Sequence, residues 1–324
     1  MKPLKALAAG AITLVLVLPF QGIAHAEPDS LSDIYDKSNH HKLDDSRELD
    51  PSPIGIDENN NLLKESDLDA NRRNVTIWES PAYIPKDADQ VPLLPNKSRD
   101  LISPNTVIGT DGRYRITGTK AFPNRAVVYI ERNGRAHCSG WMISADTLIT
   151  AGHCVYNRSG KEWHSGLKFY PGANGPSKLY GYATARQTWT DINYIKSGNV
   201  GQDWGIVKLN RRIGAQTGWF GLKWQTASYN GKSVTIKGYP GDKPAAQMWG
   251  MSGKIEYSKP NQLCYSIDTT RGQSGSPVYE PSTNQAIAIH AYGVGRLGQN
   301  YCTDTRNGAT RITKGLYEII MKVK

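Results

Sequence analysis

A chain of 324 residues is long enough for two core-forming units plus accessory segments. Its formal net charge is +10, but the basic residues are scattered, with no arginine-rich helix and no stacking motif, which argues against a nucleic-acid partner. Four cysteines without a C-x-x-C pair or a Cys/His cluster argue against a metal centre, and nothing in the sequence suggests an organic cofactor.

The chain begins with Lys2 and Lys5, an almost wholly apolar run from Ala11 to Phe20, and small residues at Ala24-His25-Ala26. Residues 1–26 therefore read as a secretory signal peptide. The run is shorter than the roughly 20 residues of a membrane span. No later stretch is apolar enough to cross a bilayer, so a secreted, extracellular product without a membrane anchor is expected. Residues 27–105 are polar and lack sustained helical or strand periodicity. Leu62-Leu63 and Val75-Thr76-Ile77-Trp78 are the pieces with potential for local order. This stretch carries 9 basic against 17 acidic residues, a net of −8, whereas residues 106–324 carry 28 against 12, a net of +16. An acidic pro-segment lying on a basic body follows, together with a field that attracts acidic substrates.

From Thr106-Val107-Ile108-Gly109 onward, short strands alternate with Gly, Asn and Pro turns. Strands are predicted at 125–131, 139–143, 147–150, 204–209, 233–239, 263–268, 277–279 and 286–291. Strands 139–143 and 147–150 form a hairpin across Ser144-Ala145-Asp146. Such a texture indicates an all-β barrel or sandwich. The one clear helix is the last element: Leu316, Ile319, Ile320 and Val323 share a face, and Thr313 caps it.

Cys138, Cys154, Cys264 and Cys302 allow three pairings and suit an oxidising compartment. A Cys138–Cys154 bridge would pin the loop that carries His153, and Cys264–Cys302 then follows by elimination.

Three segments carry chemistry. A serine hydroxyl needs a base to take its proton, and the base needs an orienter to fix its tautomer. Ser274 in Gly272-Gln273-Ser274-Gly275-Ser276-Pro277 is the nucleophile, His153 in Ala151-Gly152-His153-Cys154 the base, and Asp203 in Gln202-Asp203-Trp204-Gly205 the orienter. The backbone N–H groups of Gly272 and Ser274 are the natural donors to an oxyanion. The order His, Asp, Ser is unlike the Ser, acid, His order of α/β-hydrolases.

Thr150-Ala151-Gly152-His153-Cys154, the Asp203–Leu209 run, Gly238-Tyr239-Pro240-Gly241-Asp242-Lys243-Pro244 and Gly272–Val278 resemble the bacterial secreted glutamyl endopeptidases, a branch of the chymotrypsin-like serine proteases. The resemblance spans about Val107 to Thr313. It implies two antiparallel six-stranded β-barrels with the active site between them. Residues 106–212 form the first barrel, with His153 and Asp203. Residues 213–324 form the second, with Ser274 and the C-terminal helix. It further implies protein or peptide substrates and a removable pro-segment that acts as an intramolecular inhibitor. A monomer is the default expectation.

By the same resemblance, His290 and Thr269 read a glutamate side chain of the substrate, helped by the freed N-terminus near Thr106. Lys97, Arg99 and Asn105 are candidate cut positions. Asp268 argues the other way. It stands at the offset where trypsin-like enzymes carry the aspartate that attracts Lys or Arg, so a pocket-facing Asp268 would favour basic residues. A trypsin-like or broad preference is therefore the runner-up to glutamate, and a catalytically dead binding protein on the same fold is the alternative of another class. Gln273 replaces the aspartate that pairs with the new N-terminus in trypsin-like zymogens, so that ion-pair switch is not expected here.

Overall fold

Asn133 and Gly134 both adopt positive φ, 50° and 79°, the backbone that a two-residue type I′ hairpin turn requires. They join strand Val127–Arg132 to strand Arg135–Met142 in one antiparallel ladder. The computed structural model describes residues 47–68, 79–88, 107–294, 302 and 305–324. The predicted signal peptide, Val75–Trp78 and the candidate cut positions Lys97, Arg99 and Asn105 lie outside the described residues.

Six strands of the body follow one another antiparallel in the order Leu167–Pro171, Val127–Arg132, Arg135–Met142, Thr147–Thr150, Gly205–Leu209 and Ala185–Asp191. Phe169 and Ala183 exchange two backbone hydrogen bonds of 3.0 Å, tying the first strand of this series to the chain leading into the last and so closing a barrel. A second series of six runs Gln262–Tyr265, Asn307–Arg311, Gln285–Tyr292, Pro277–Glu280, Ser233–Gly238 and Met248–Lys254. These are the two six-stranded units that the family resemblance implies. Alternate residues of each fill an apolar interior. Trp141, Trp189, Trp204 and Phe220 are fully buried in one cluster, which extends to Tyr279 and Ile289 of the second series, and Val234, Ile236, Leu263 and Tyr265 are buried in another.

Several boundaries differ from expectation. Arg125 lies in a short 3-10 turn rather than a strand. The 139–143 strand starts earlier, at Arg135, because the Asn-Gly turn sets its register. The 263–268 strand stops at Tyr265, and Asp268 bonds elsewhere, as described below. Tyr114–Ile116 pairs with Met248–Lys254, so a piece of chain assigned to the first unit completes the second sheet. The last helix, Lys314–Val323, is capped by Thr313 Oγ1, which accepts the Leu316 N–H at 3.3 Å. Lys208, on a first-barrel strand, donates to the Val323 and Lys324 carbonyls at 3.1 and 2.8 Å, a cation at a helix C-terminus. This helix is not alone. Ile192–Ser197 forms a short one, capped by Asp191 and ended by Gly198 at φ 74°; an Asp before and a Gly after were the available signals.

The polar stretch 27–105 is also more structured than its lack of periodicity predicts. Pro53–Asp57 adds a strand to the first sheet along Ala185–Asp191, and Leu62–Lys64 pairs with it in turn. Ile54 buries against Tyr156 and Ile195. Gly55 passes so close that a Cβ there would lie 2.5 Å from the Thr188 carbonyl. A five-residue added strand draws its hydrogen bonds and apolar contacts from its neighbours, so its own sequence carries little signal.

Candidate active site

The strand Thr147–Thr150 pairs with Gly205–Leu209 in a register that sets Thr150 opposite Gly205. The residues just beyond one and just before the other are therefore neighbours, and these are His153, on a 3-10 turn, and Asp203. Gly152 permits the contact: a Cβ at that position would lie 2.8 Å from Asp203 Oδ1. Asp203 Oδ1 accepts the His153 backbone N–H at 2.8 Å and Oδ2 faces His153 Nδ1 at 2.7 Å. The Asp203 side chain is fully buried while His153 keeps 32 % of its side chain exposed, so the acid is dry and the imidazole is reachable. Burial pushes the Asp203 carboxyl up, but the attraction of His153 and the hydrogen bonds from His153 and Tyr292 hold it below the usual carboxylate range.

Ser274 arrives from the second barrel, on the loop before Pro277–Glu280. The Ser274 carbonyl accepts the Ser139 N–H at 2.8 Å, which docks this loop on the first barrel. Gly275, at φ 86°, allows the approach, since a Cβ would meet the Ser139 carbonyl at 2.1 Å. The Ser139 hydroxyl donates to the Gly272 carbonyl at 2.8 Å and fixes that peptide. The N–H groups of Gln273, Gly275 and Ser276 donate to Thr270, His290 and Gln273 carbonyls. Among the described residues no acceptor is paired with the N–H of Gly272 or Ser274. Two uncommitted donors, one on the serine itself and one two residues before it, are what an oxyanion requires.

His153, Ser274, Gly272, Thr269 and His290 all line one cleft of about 640 Å³. His290 is buried, with Nδ1 2.7 Å from the Tyr265 hydroxyl. Burial, and then the charge of His153, push His290 down to about 3, so it is neutral near pH 7. Asp268 does not face the cleft. Its Oδ1 and Oδ2 accept the backbone N–H groups of Ile108 and Gly112, each at 2.7 Å. This aspartate anchors the first residues of the body against the wall of the pocket.

An ion network beside it joins the same two segments. Arg113 pairs with Asp111 at 2.8 Å and Asp242 at 2.5 Å, and donates to Thr270 and Gln273. Lys243 reaches Asp111 at 3.1 Å. The Asp242-Lys243 pair of the Gly238–Pro244 motif thus ties the start of the body to the loop before Ser274. Gln273 Oε1 accepts the Thr270 N–H at 3.0 Å, a local role in place of an ion pair to a new N-terminus.

Both predicted disulfides form, Cys138–Cys154 and Cys264–Cys302. The first ties the His153 turn to the neighbouring strand. Among the described residues one side-chain group is close enough to share a metal, Cys138, His153 and Cys154, and the disulfide removes both thiolates as ligands.

Sequence reasoning missed Tyr292. Its hydroxyl donates to Asp203 Oδ2, the oxygen that also faces His153. No motif marks a buried tyrosine two residues past His290; only the fold brings it to Asp203. Tyr292→Phe removes a donor to a buried charge, an interaction of about 1.5–3 kcal/mol. The expected result is roughly a tenfold or greater fall in kcat with KM little changed. Steady-state kinetics on one peptide measures it, and an unaltered kcat would remove Tyr292 from any positioning role.

The trypsin family model matches residues 115–316. The glutamyl endopeptidase of Bacillus licheniformis is 40% identical over 220 residues, covering 66% of this chain and 67% of that protein. A Bacillus subtilis protein named extracellular metalloprotease is 35% identical, covering 69% of this chain and 71% of that one. A solved Glu endopeptidase in complex with MPD superposes with a TM-score of 0.61 at 30% identity, covering 67% of this chain and all of that one.

Proposed function

Since the chain belongs to the trypsin family of serine proteases, on its glutamyl endopeptidase branch, we propose that it is made as a secreted zymogen and cuts peptide bonds after glutamate, and less readily after aspartate. Ser274 Oγ attacks the scissile carbonyl while His153 Nε2 takes its proton. Asp203 holds the proton on His153 Nδ1 and stabilises the imidazolium that forms. The Gly272 and Ser274 N–H groups stabilise the oxyanion. His153 then returns the proton to the leaving amine, and water repeats the sequence on the acyl-enzyme. The observation that carries this reading is the 2.7 Å contact of His153 with a buried Asp203, on the wall of the cleft that also holds Ser274. An intact constellation of this kind speaks against a dead binding protein.

The glutamate preference rests on what faces the cleft. A carboxylate entering it loses water and needs donors. With the Tyr265 hydroxyl donating to His290 Nδ1, His290 offers Nε2–H to that carboxylate, and Thr269 lies on the same wall. Asp268 is occupied by Ile108 and Gly112, which removes the basis for a trypsin-like pocket.

Residues 27–105 serve as the pro-segment. Among the described residues none of it lines the cleft, and its strand Pro53–Asp57 lies on the first sheet. Cutting near Thr106 frees the chain next to Asp268 and the pocket wall, completing the pocket. A signal-like start and two disulfides support release to the outside of the cell.

The test uses processed enzyme and peptides that differ only in the residue before the cut: Glu, Asp, Lys, Arg and Phe. Glu is expected to exceed Lys by at least about 100-fold in kcat/KM. His290→Phe should abolish most of that preference while Ser274 still reacts with a serine-directed inhibitor. Preference for Lys or Arg would overturn the pocket assignment.

A further inference from the structure

The cleft carries a cationic feature apart from the pocket at His290. Arg158 lies just past the short strand Tyr156–Asn157 and lines the same cleft as His153, Tyr194 and Tyr292. Its guanidinium sits 5.8 Å over the ring of Tyr194. Nε donates to the Ile195 carbonyl at 3.2 Å and Nη2 to the Lys196 carbonyl at 3.4 Å. Gly198 makes room: it adopts φ 74°, and a Cβ there would lie 2.3 Å from Arg158 Nη1. The side chain is therefore fixed by the end of the helix Ile192–Ser197 rather than waving in solvent. Among the described residues no carboxylate pairs with it, and no Asp or Glu lines the cleft. Its charge reaches Tyr292, two residues past His290 on the same strand.

A guanidinium held this way is preorganised for a carboxylate. A substrate whose side chain enters the pocket at His290 must run its preceding residues past Tyr292, because the strand Gln285–Tyr292 continues in that direction. The preceding side chain then lies between His153, Tyr194 and Tyr292, facing Arg158. We propose that Arg158 forms a second acid-reading subsite, so that the enzyme selects an acidic residue immediately before the scissile glutamate as well as the glutamate itself. This rests on the assignment of His290 to the first pocket. The substrate class becomes acidic segments of proteins rather than isolated glutamates.

The experiment is a set of fluorogenic peptides with Glu before the cut and Asp, Asn, Ala or Lys preceding it, with active sites counted by a serine-directed inhibitor. Wild type should favour Asp over Asn by about tenfold in kcat/KM, with Lys lowest. Raising the salt concentration should shrink that ratio, since the guanidinium is partly exposed. Arg158→Gln should bring the Asp/Asn ratio to about one with the Glu/Lys ratio at the cut position intact, and Arg158→Lys should retain part of it. Arg271, an exposed cation on the rim of the same cleft, supplies the control: Arg271→Gln should leave the Asp/Asn ratio in place. The proposal fails if wild type shows no Asp/Asn preference, if Arg158→Gln keeps it, or if Arg271→Gln abolishes it instead. Should the enzyme prefer some residue other than Glu at the cut, the same series is run with that residue. The glutamate reading then falls on its own, and the Arg158 ratio is still measured.

Discussion

Ser274→Ala is expected to lower kcat by a factor on the order of 10⁶, the scale set by removing a serine nucleophile from an assembled triad. The residual rate, from oxyanion donors and binding alone, should still exceed the uncatalysed one by about 10³ or more. The substitution removes one oxygen and leaves the loop in place. What docks that loop is the Ser274 carbonyl on the Ser139 N–H, the Gly272 carbonyl on the Ser139 hydroxyl, and Gly275 against the first barrel. None of these uses the Ser274 hydroxyl. Thermal unfolding should therefore be nearly unchanged, and peptide substrates should still bind, with an apparent affinity close to the wild-type KM. A folded Ser274→Ala protein that retained substantial hydrolysis would overturn the assignment of the nucleophile.

Asp203→Asn should cost about 10⁴ in kcat, although the two side chains have nearly the same shape. The reason lies in donor counting. Asp203 accepts from three donors: the His153 backbone N–H, His153 Nδ1–H and the Tyr292 hydroxyl. Asparagine has one acceptor oxygen and one NH₂ group. If its oxygen stays on the backbone N–H, the NH₂ faces His153 Nδ1, and the imidazole must accept there and carry its proton on Nε2. In that tautomer it cannot take the proton of Ser274. Labelling of Ser274 by a serine-directed inhibitor should slow in parallel with peptide hydrolysis, because both need the same base. Rates within tenfold of wild type would mean that Asp203 does not set the tautomer.

Much of this protein is legible in short stretches of its chain. Thr150–Cys154, Asp203–Leu209 and Gly272–Val278 are contiguous in sequence, and each holds one reactive side chain among the glycines that its geometry needs. Gly152 and Gly275 stand next to His153 and Ser274 in the sequence, and the close approaches at both explain them. The C-terminal helix was equally legible, because its cap and its apolar face are local properties. Other residues have partners far away in the chain, and their roles emerge from the fold alone. Asp268 is ambiguous in sequence, at a trypsin-like offset on a glutamyl-type chain. Its direction was settled by the N–H groups of Ile108 and Gly112, about 160 residues earlier. Tyr292 meets Asp203 across 89 positions, and the strand Pro53–Asp57 exists because Ala185–Asp191 offers it an edge. Arg158 is one of 39 basic residues until the helix Ile192–Ser197 supplies two carbonyls and Gly198 supplies the space. Local chemistry writes itself into neighbouring residues; the direction of a side chain depends on what packs around it, and that is fixed by contacts which no short stretch of sequence contains.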